Sequence, residues 1–168
     1  MRKIFCMLLV FIMSLGLVAC SKGPIKDSAD ESVSIGEDVL EEPTVELVTY
    51  NIYIPNANAD RFDIVTIESK DISAEFLLEK LVENNVLTAD VQVNDFRFVD
   101  ETINIDFNYS FGDIICSMGS AGERMIMGSV VNTFLDAYDA EFVHITVNGE
   151  ILESGHVVYD FEMSFFEN

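Results

Sequence analysis

Positive charge is scarce in this chain: 9 Lys and Arg stand against 30 Asp and Glu in 168 residues, for a formal net charge of −21. Such a surface repels phosphate backbones and has no counterion release to offer, which excludes DNA and RNA as partners. Histidine is limited to His144 and His156, and no pair of His, Cys or Glu falls at zinc-ligand spacing, so no metal centre is expected from the spacings. A membrane-spanning run is also lacking. The uncharged stretch Ile4–Val18 would reach only roughly 22 Å as a helix, short of the roughly 30 Å hydrocarbon core.

What is present at the amino terminus is an export pattern. Met1-Arg2-Lys3 gives a positive start, the apolar run follows, and small residues close it, so residues 1–19 read as a signal peptide. The run ends in Leu17-Val18-Ala19-Cys20, which resembles the lipobox of bacterial lipoproteins. That resemblance implies a diacylglyceryl group on the Cys20 thiol, with acyl chains such as palmitate, and Cys20 as the new amino terminus. More than one acyl chain anchors a protein stably, so the expected location is the extracytoplasmic face of the cell membrane, held through lipidated Cys20. Residues 20–46 carry Asp27, Asp30, Glu31 and further acids up to Glu46 against Lys22 and Lys26, without one aromatic residue. Such a stretch cannot bury enough apolar surface to offset its ordering entropy, and it reads as a disordered acidic tether or, alternatively, as an acidic peptide for a basic partner.

Hydrophobic periodicity begins at Leu47, and residues 47–168 read as one domain. Val48, Tyr50, Ile52 and Ile54 alternate as a half-buried strand ending at Pro55, Asn56–Asp60 is turn chemistry, and a second strand covers Asp63–Glu68. Ser73 caps a helix whose stripe is Leu77, Leu78, Leu81 and Val82, ending near Asn84-Asn85. Val91–Val99 and Ile103–Tyr109 form a hairpin about Asp100-Glu101. A second helix opens at Gly119, with Ser120 and Glu123 spaced as a capping box and Met127, Val130, Val131, Phe134, Leu135 and Tyr138 as its apolar stripe. Phe142–Val147 turns at Asn148-Gly149 into Glu150–Leu152, and Val157–Met163 alternates as a further edge strand. The sum is an α+β fold with a mixed or mainly antiparallel sheet and two helices on one face.

Catalytic constellations are hard to assemble from these residues. Cys116 lies in the apolar run Ile114-Ile115-Cys116, which reads as a buried inert thiol without a disulfide partner. A hydrolase built from Cys116 with His144 or His156 would need an orienting group that the sequence does not advertise. No enzyme, cofactor or catalytic residue is expected. Gly119–Gly122 lacks the lysine of a phosphate loop and reads as a helix entry. Asn56, Asn58 and Asp60 alternate as in a calcium loop, yet Arg61 stands where glycine is required and Ile67 at the bidentate position. That excludes an EF-hand and leaves weaker calcium binding at Asn56 to Asp63 open.

Between about Thr49 and Tyr159 the chain resembles the GerMN domain of sporulation and spore-germination lipoproteins. The resemblance is carried by Phe76-Leu77-Leu78-Glu79-Lys80-Leu81, Ile103–Phe107, Gly128–Phe134, and Val143–Gly149 followed by Gly155-His156. It implies a non-catalytic, protein-binding module of the cell envelope, related to the small αβ modules that build rings. Sporulation members carry two such domains in tandem and this chain has room for one, so ring assembly, like the biological process, does not transfer with the fold. The expected partner is an unidentified envelope protein, engaged through the sheet or an exposed strand edge; the alternative is a ligand or calcium sensor.

Overall fold

A computed structural model describes residues 47–168. The signal peptide, Cys20 and the acidic tether lie outside the described residues. Strand β1 (Val48–Pro55) and strand β2 (Phe62–Ser69) pair antiparallel from Val48 opposite Ser69 to Pro55 opposite Phe62. The alternation buries Tyr50 and Ile52 as expected, but it also leaves Tyr53 buried, on the opposite face of the strand. The reason is that the hairpin stands edge-on to a long helix, α3 (Ser120–Tyr138). The edge of β1 away from β2 faces that helix, and the backbone N–H of Tyr53 donates to the Thr133 hydroxyl at 3.0 Å. An edge that would otherwise invite a foreign strand is thus covered and satisfied.

Helix α1 (Ala74–Glu83) begins where the Ser73 hydroxyl accepts from the Phe76 N–H at 3.2 Å, and it buries Leu77, Leu78 and Leu81. It ends at Asn84, and Asn85 follows with φ at 60°, a left-handed conformation that asparagine tolerates. Strands β3 (Val93–Val99) and β4 (Thr102–Phe107) form the expected hairpin, with Asp100 and Glu101 at φ of 50° and 65° as a two-residue mirror-image turn.

The alternation of β4 stops at Phe107, two residues before the expected end. Tyr109–Ser117 is a helix, α2, that the period-two reading misses. Its Phe111 and Ile115 are one turn apart and fully buried, and Phe107 stacks on Phe111 at 4.4 Å. Gly112 allows the close approach: a Cβ there would meet Val147 at 3.4 Å. Among the described residues three helices therefore stand where two are expected.

Helix α3 is buried almost all round, with Ser129, Asn132 and Thr133 enclosed beside Met127, Val130, Val131 and Phe134. The expected capping box is absent. Gly119 is the N-cap and makes no side-chain cap bond, so Ser120 is already helical, while Glu123 turns inward and accepts from Ser154 and Tyr159. Glycine at 128 lets two aromatic rings seat on the helix, since a Cβ would fall 2.5 Å from Phe62 and 3.1 Å from Phe166.

Strand β5 (Phe142–Val147) lies parallel to β4, Thr102 opposite Phe142 through Phe107 opposite Val147, and a turn at Asn148-Gly149 leads into the short β6 (Glu150–Ile151). The four-stranded sheet has the order β3-β4-β5-β6. One of its faces, Ile103, Ile105 and Phe107 with Val143, Ile145 and Val147, joins the apolar stripes of all three helices in a single core. The chain is thus α+β, with one mixed and one antiparallel sheet. The expected last strand is not formed: Val157–Met163 makes only isolated bridges, Glu153 with Val158 and Val143 with Met163.

Candidate functional site

Because side chains alternate along a strand, the residues between the core positions of β4 and β5 must face away from the helices. Asn104 and Asp106 of β4 stand opposite His144 and Thr146 of β5, and with Asp95 and Arg97 of β3 they line a shallow depression of about 370 Å³. Its best-organised group is Asp106. One carboxylate oxygen accepts from the Thr146 hydroxyl at 2.6 Å and from the Gly149 N–H at 2.7 Å, and the other accepts from Asn94 at 3.0 Å. Partial burial opposes ionisation, but these three donors outweigh it and hold the carboxyl below its usual range. Asp106 thereby ties β4 to the β5–β6 turn, which makes it a brace for the open face.

The outer edge of β3 differs from that face. Among the described residues no strand pairs with it, and no backbone hydrogen bond outside the ladder to β4 reaches Phe96–Val99. Phe98 and Val99 are 43% and 57% exposed on it. Beneath Phe98 an aromatic seam runs into the core: Tyr138 lies 5.0 Å from Phe96 and 5.9 Å from Phe98, and it stacks with Phe134 at 6.4 Å. The Tyr138 hydroxyl donates to the Ile72 carbonyl. Burial, with the charges of Glu75 and Asp71, pushes that phenol up to about 12. A free strand edge with exposed Phe98 on the helix side, backed by that aromatic column, and exposed Val99 on the opposite face is a surface that an added strand can pair with and pack on.

The other candidate residues lie apart from this edge. Cys116 is not the buried thiol expected from its apolar neighbours; it is exposed at the end of α2, because Phe111 and Ile115 take the inward positions of that helix, and its Sγ contacts the Glu153 carbonyl at 3.5 Å. Neither histidine hydrogen-bonds it: His144 sits on the open sheet face and His156 is exposed beyond Gly155. In the Asn56–Asp63 loop the Asn56 amide turns onto its own backbone. Its oxygen accepts from the Asp60 N–H at 3.1 Å and its nitrogen donates to the Asp60 carboxylate at 2.7 Å, while Arg61 contacts Asp63 at 3.4 Å. Those oxygens converge on the loop's own donors. Among the described residues no group of three His, Cys, Asp or Glu side chains is placed to hold a metal ion. The free β3 edge was not assignable to particular residues from sequence, since alternation locates a strand without saying which strands flank it; the Phe96, Phe98 and Val99 cluster was the available signal.

Two solved structures match the chain. Tandem GerMN domains of the sporulation protein GerM from Bacillus subtilis match with a TM-score of 0.53 and 19% identity, over 71% of this chain and 46% of that one. A Clostridium perfringens protein described as a candidate lipoprotein matches with a TM-score of 0.48 and 12% identity, over 72% of this chain and 89% of that one. The chain thus spans under half the length of the tandem-domain structure. No curated protein matches it in sequence. The family described as Germane, sporulation and spore germination, matches residues 51–153, which is more than half of the chain and includes most of the β1–β2 hairpin, the β3–β4 and β5–β6 hairpins and helices α1, α2 and α3. The protein belongs to the Germane family.

Proposed function

We propose that this protein is a lipoprotein held at the extracytoplasmic face of the cell membrane through Cys20, and that its Germane domain binds an envelope protein without catalysing a reaction. The partner adds an extended segment to the outer edge of β3 and packs apolar side chains on Phe98 on the helix side and on Val99 on the opposite face. The observation that carries this reading is that edge, unpaired among the described residues and apolar in a chain of net charge −21. The Germane family is in general non-enzymatic, and its description, sporulation and spore germination, supports a role in such a process. The acidic residues 20–46 give the domain reach from the lipid. Calcium sensing has against it the Asn56 side chain, already committed to Asp60 and Arg61.

Two measurements test the proposal. Crosslinking and pulldown of the full-length protein from its own cells should recover one envelope protein, and Phe98→Lys with Val99→Lys should lose it while the circular dichroism spectrum is kept. Recovery of the same partner by the double variant refutes the β3 edge. In detergent partitioning, Cys20→Ala should leave the membrane fraction; a variant that partitions like the parent refutes the anchor.

A further inference from the structure

The first turn of α3 and the irregular segment after β6 enclose a recess of about 350 Å³, remote in sequence from the β3 edge. Its walls are apolar and aromatic, from Val157, Tyr159, Phe161 and Phe166. Glu123 also lines it, yet only 2% of this residue is exposed. One of its oxygens, Oε1, accepts from the Ser154 hydroxyl at 2.5 Å and from the Tyr159 hydroxyl at 2.7 Å. The other, Oε2, is fully buried and has no hydrogen-bond partner. Buried acceptors are rarely left unmet, and a carboxylate without a counter-charge is the costliest kind.

The cation nearest in sequence does not answer it. Arg124 donates to the Glu167 carbonyl at 2.7 Å, and its guanidinium lies over the Phe166 ring at 5.9 Å. The backbone N–H of His156 donates to the Ser154 hydroxyl at 3.0 Å. The recess therefore combines an unmet acceptor on Glu123 with aromatic faces that attract cations, while Arg124 and His156, which also line it, make no hydrogen bond to Glu123. We propose that it binds a primary ammonium group on a short unbranched alkyl chain: the ammonium donates to Glu123 Oε2, and the chain lies against Val157, Phe161 and Phe166. The negative field of the whole protein raises the local concentration of such cations. Two sources share this chemistry, a free alkylamine and the side chain of a lysine in a peptide.

The test is amide chemical-shift mapping of the full-length chain in detergent micelles, titrated in parallel with n-butylammonium chloride and with Nα-acetyl-lysine amide. Saturable shifts centred on Ser120, Glu123, Val157 and Tyr159 are expected for at least one of the two. The free amine alone, or the lysine derivative, then identifies the source. Glu123→Gln should weaken binding by about tenfold or more, because the counter-charge is lost while the shape is kept. Val157→Trp fills the recess, leaves the carboxylate in place, and should abolish the shifts even where Glu123→Gln does not fold. The proposal is overturned if neither probe saturates, if n-butanol binds as well as the amine, or if the variants bind like the parent. None of these results bears on the β3 edge, whose test reads a protein partner.

Discussion

The two outer edges of the four-stranded sheet are treated in opposite ways. On the β5 side, β6 covers Thr146 and Val147, and Met163 exchanges two backbone hydrogen bonds with Val143 at 2.8 and 2.9 Å. An irregular tail too short of ladder partners to be a strand nevertheless closes that edge, and Met163 itself is 3% exposed. On the β3 side, protection is limited to an irregular register between Val93 and Asp95 and an exposed Arg97–Asp95 pair at 2.9 Å. Bulges and charges blunt an edge without sealing it. Local sequence does not decide which edge is sealed, since both strands are apolar; what decides it is where the remaining chain has been left by the preceding elements.

The comparison breaks most severely at the closed edge. Met163→Ala removes a buried side chain that anchors the tail, and it should lower unfolding free energy by about 2–5 kcal/mol in urea denaturation. A loss below about 1 kcal/mol would mean that the tail is not what closes β5. On the opposite side, Tyr138→Phe deletes the hydroxyl that donates to Ile72, for about 1 kcal/mol. Because the folded state holds that phenol neutral up to about 12, its contribution is complete below the unfolded phenol range near 10 and fades as pH rises through about 12. The parent should therefore lose more stability than Tyr138→Phe between pH 9 and 12, which thermal melts would read.

Acid acts at the other end of the sheet. The folded-state pKa of Asp106 is depressed, so its stabilisation is present above the unfolded carboxylate range near 4 and disappears as pH falls through the folded value. Melts from pH 6 to 2 should show a shallower decline for Asp106→Asn than for the parent; parallel curves would mean that the brace between β4 and the Gly149 turn contributes nothing. The smallest stability effect belongs to the open edge. Phe98→Ser should cost within about 0.5–1 kcal/mol yet abolish recovery of the partner. If it costs as much as Met163→Ala, β3 is a structural edge and not a reserved one.

Much of this fold was legible in local chemistry. Ser73 caps its helix and Asn148-Gly149 turns its hairpin because each signal is complete within a few residues. Helix α2 was hidden because Ile103, Ile105, Phe107 and Tyr109 keep period two past the point where Phe111 and Ile115 begin a helical spacing, and nine residues are too few for the second period to assert itself. Ser120 and Glu123 had the spacing of a cap, but the partners that turned Glu123 inward, Ser154 and Tyr159, are more than thirty residues away. The open β3 edge and the recess at Glu123 share that cause: both are made by what the chain does elsewhere.

The parallel pairing of β4 with β5 has a consequence for how the molecule is made. Asp106 and Thr146, neighbours across that ladder, are 40 residues apart in sequence, and α2 and α3 occupy the interval. The β1–β2 and β3–β4 hairpins can close as soon as their own residues are available, whereas β5 finds its place only after two helices have formed a surface for it. Docking of β5 is then the slow step of folding, and until it happens the apolar faces of β4 and β5 are both uncovered. In refolding kinetics Ile67→Val, in a hairpin already formed at that step, should act chiefly on the folding arm, while Ile145→Val, in contacts still forming, should divide its effect between folding and unfolding; an effect of Ile67→Val chiefly on unfolding would contradict this order of events.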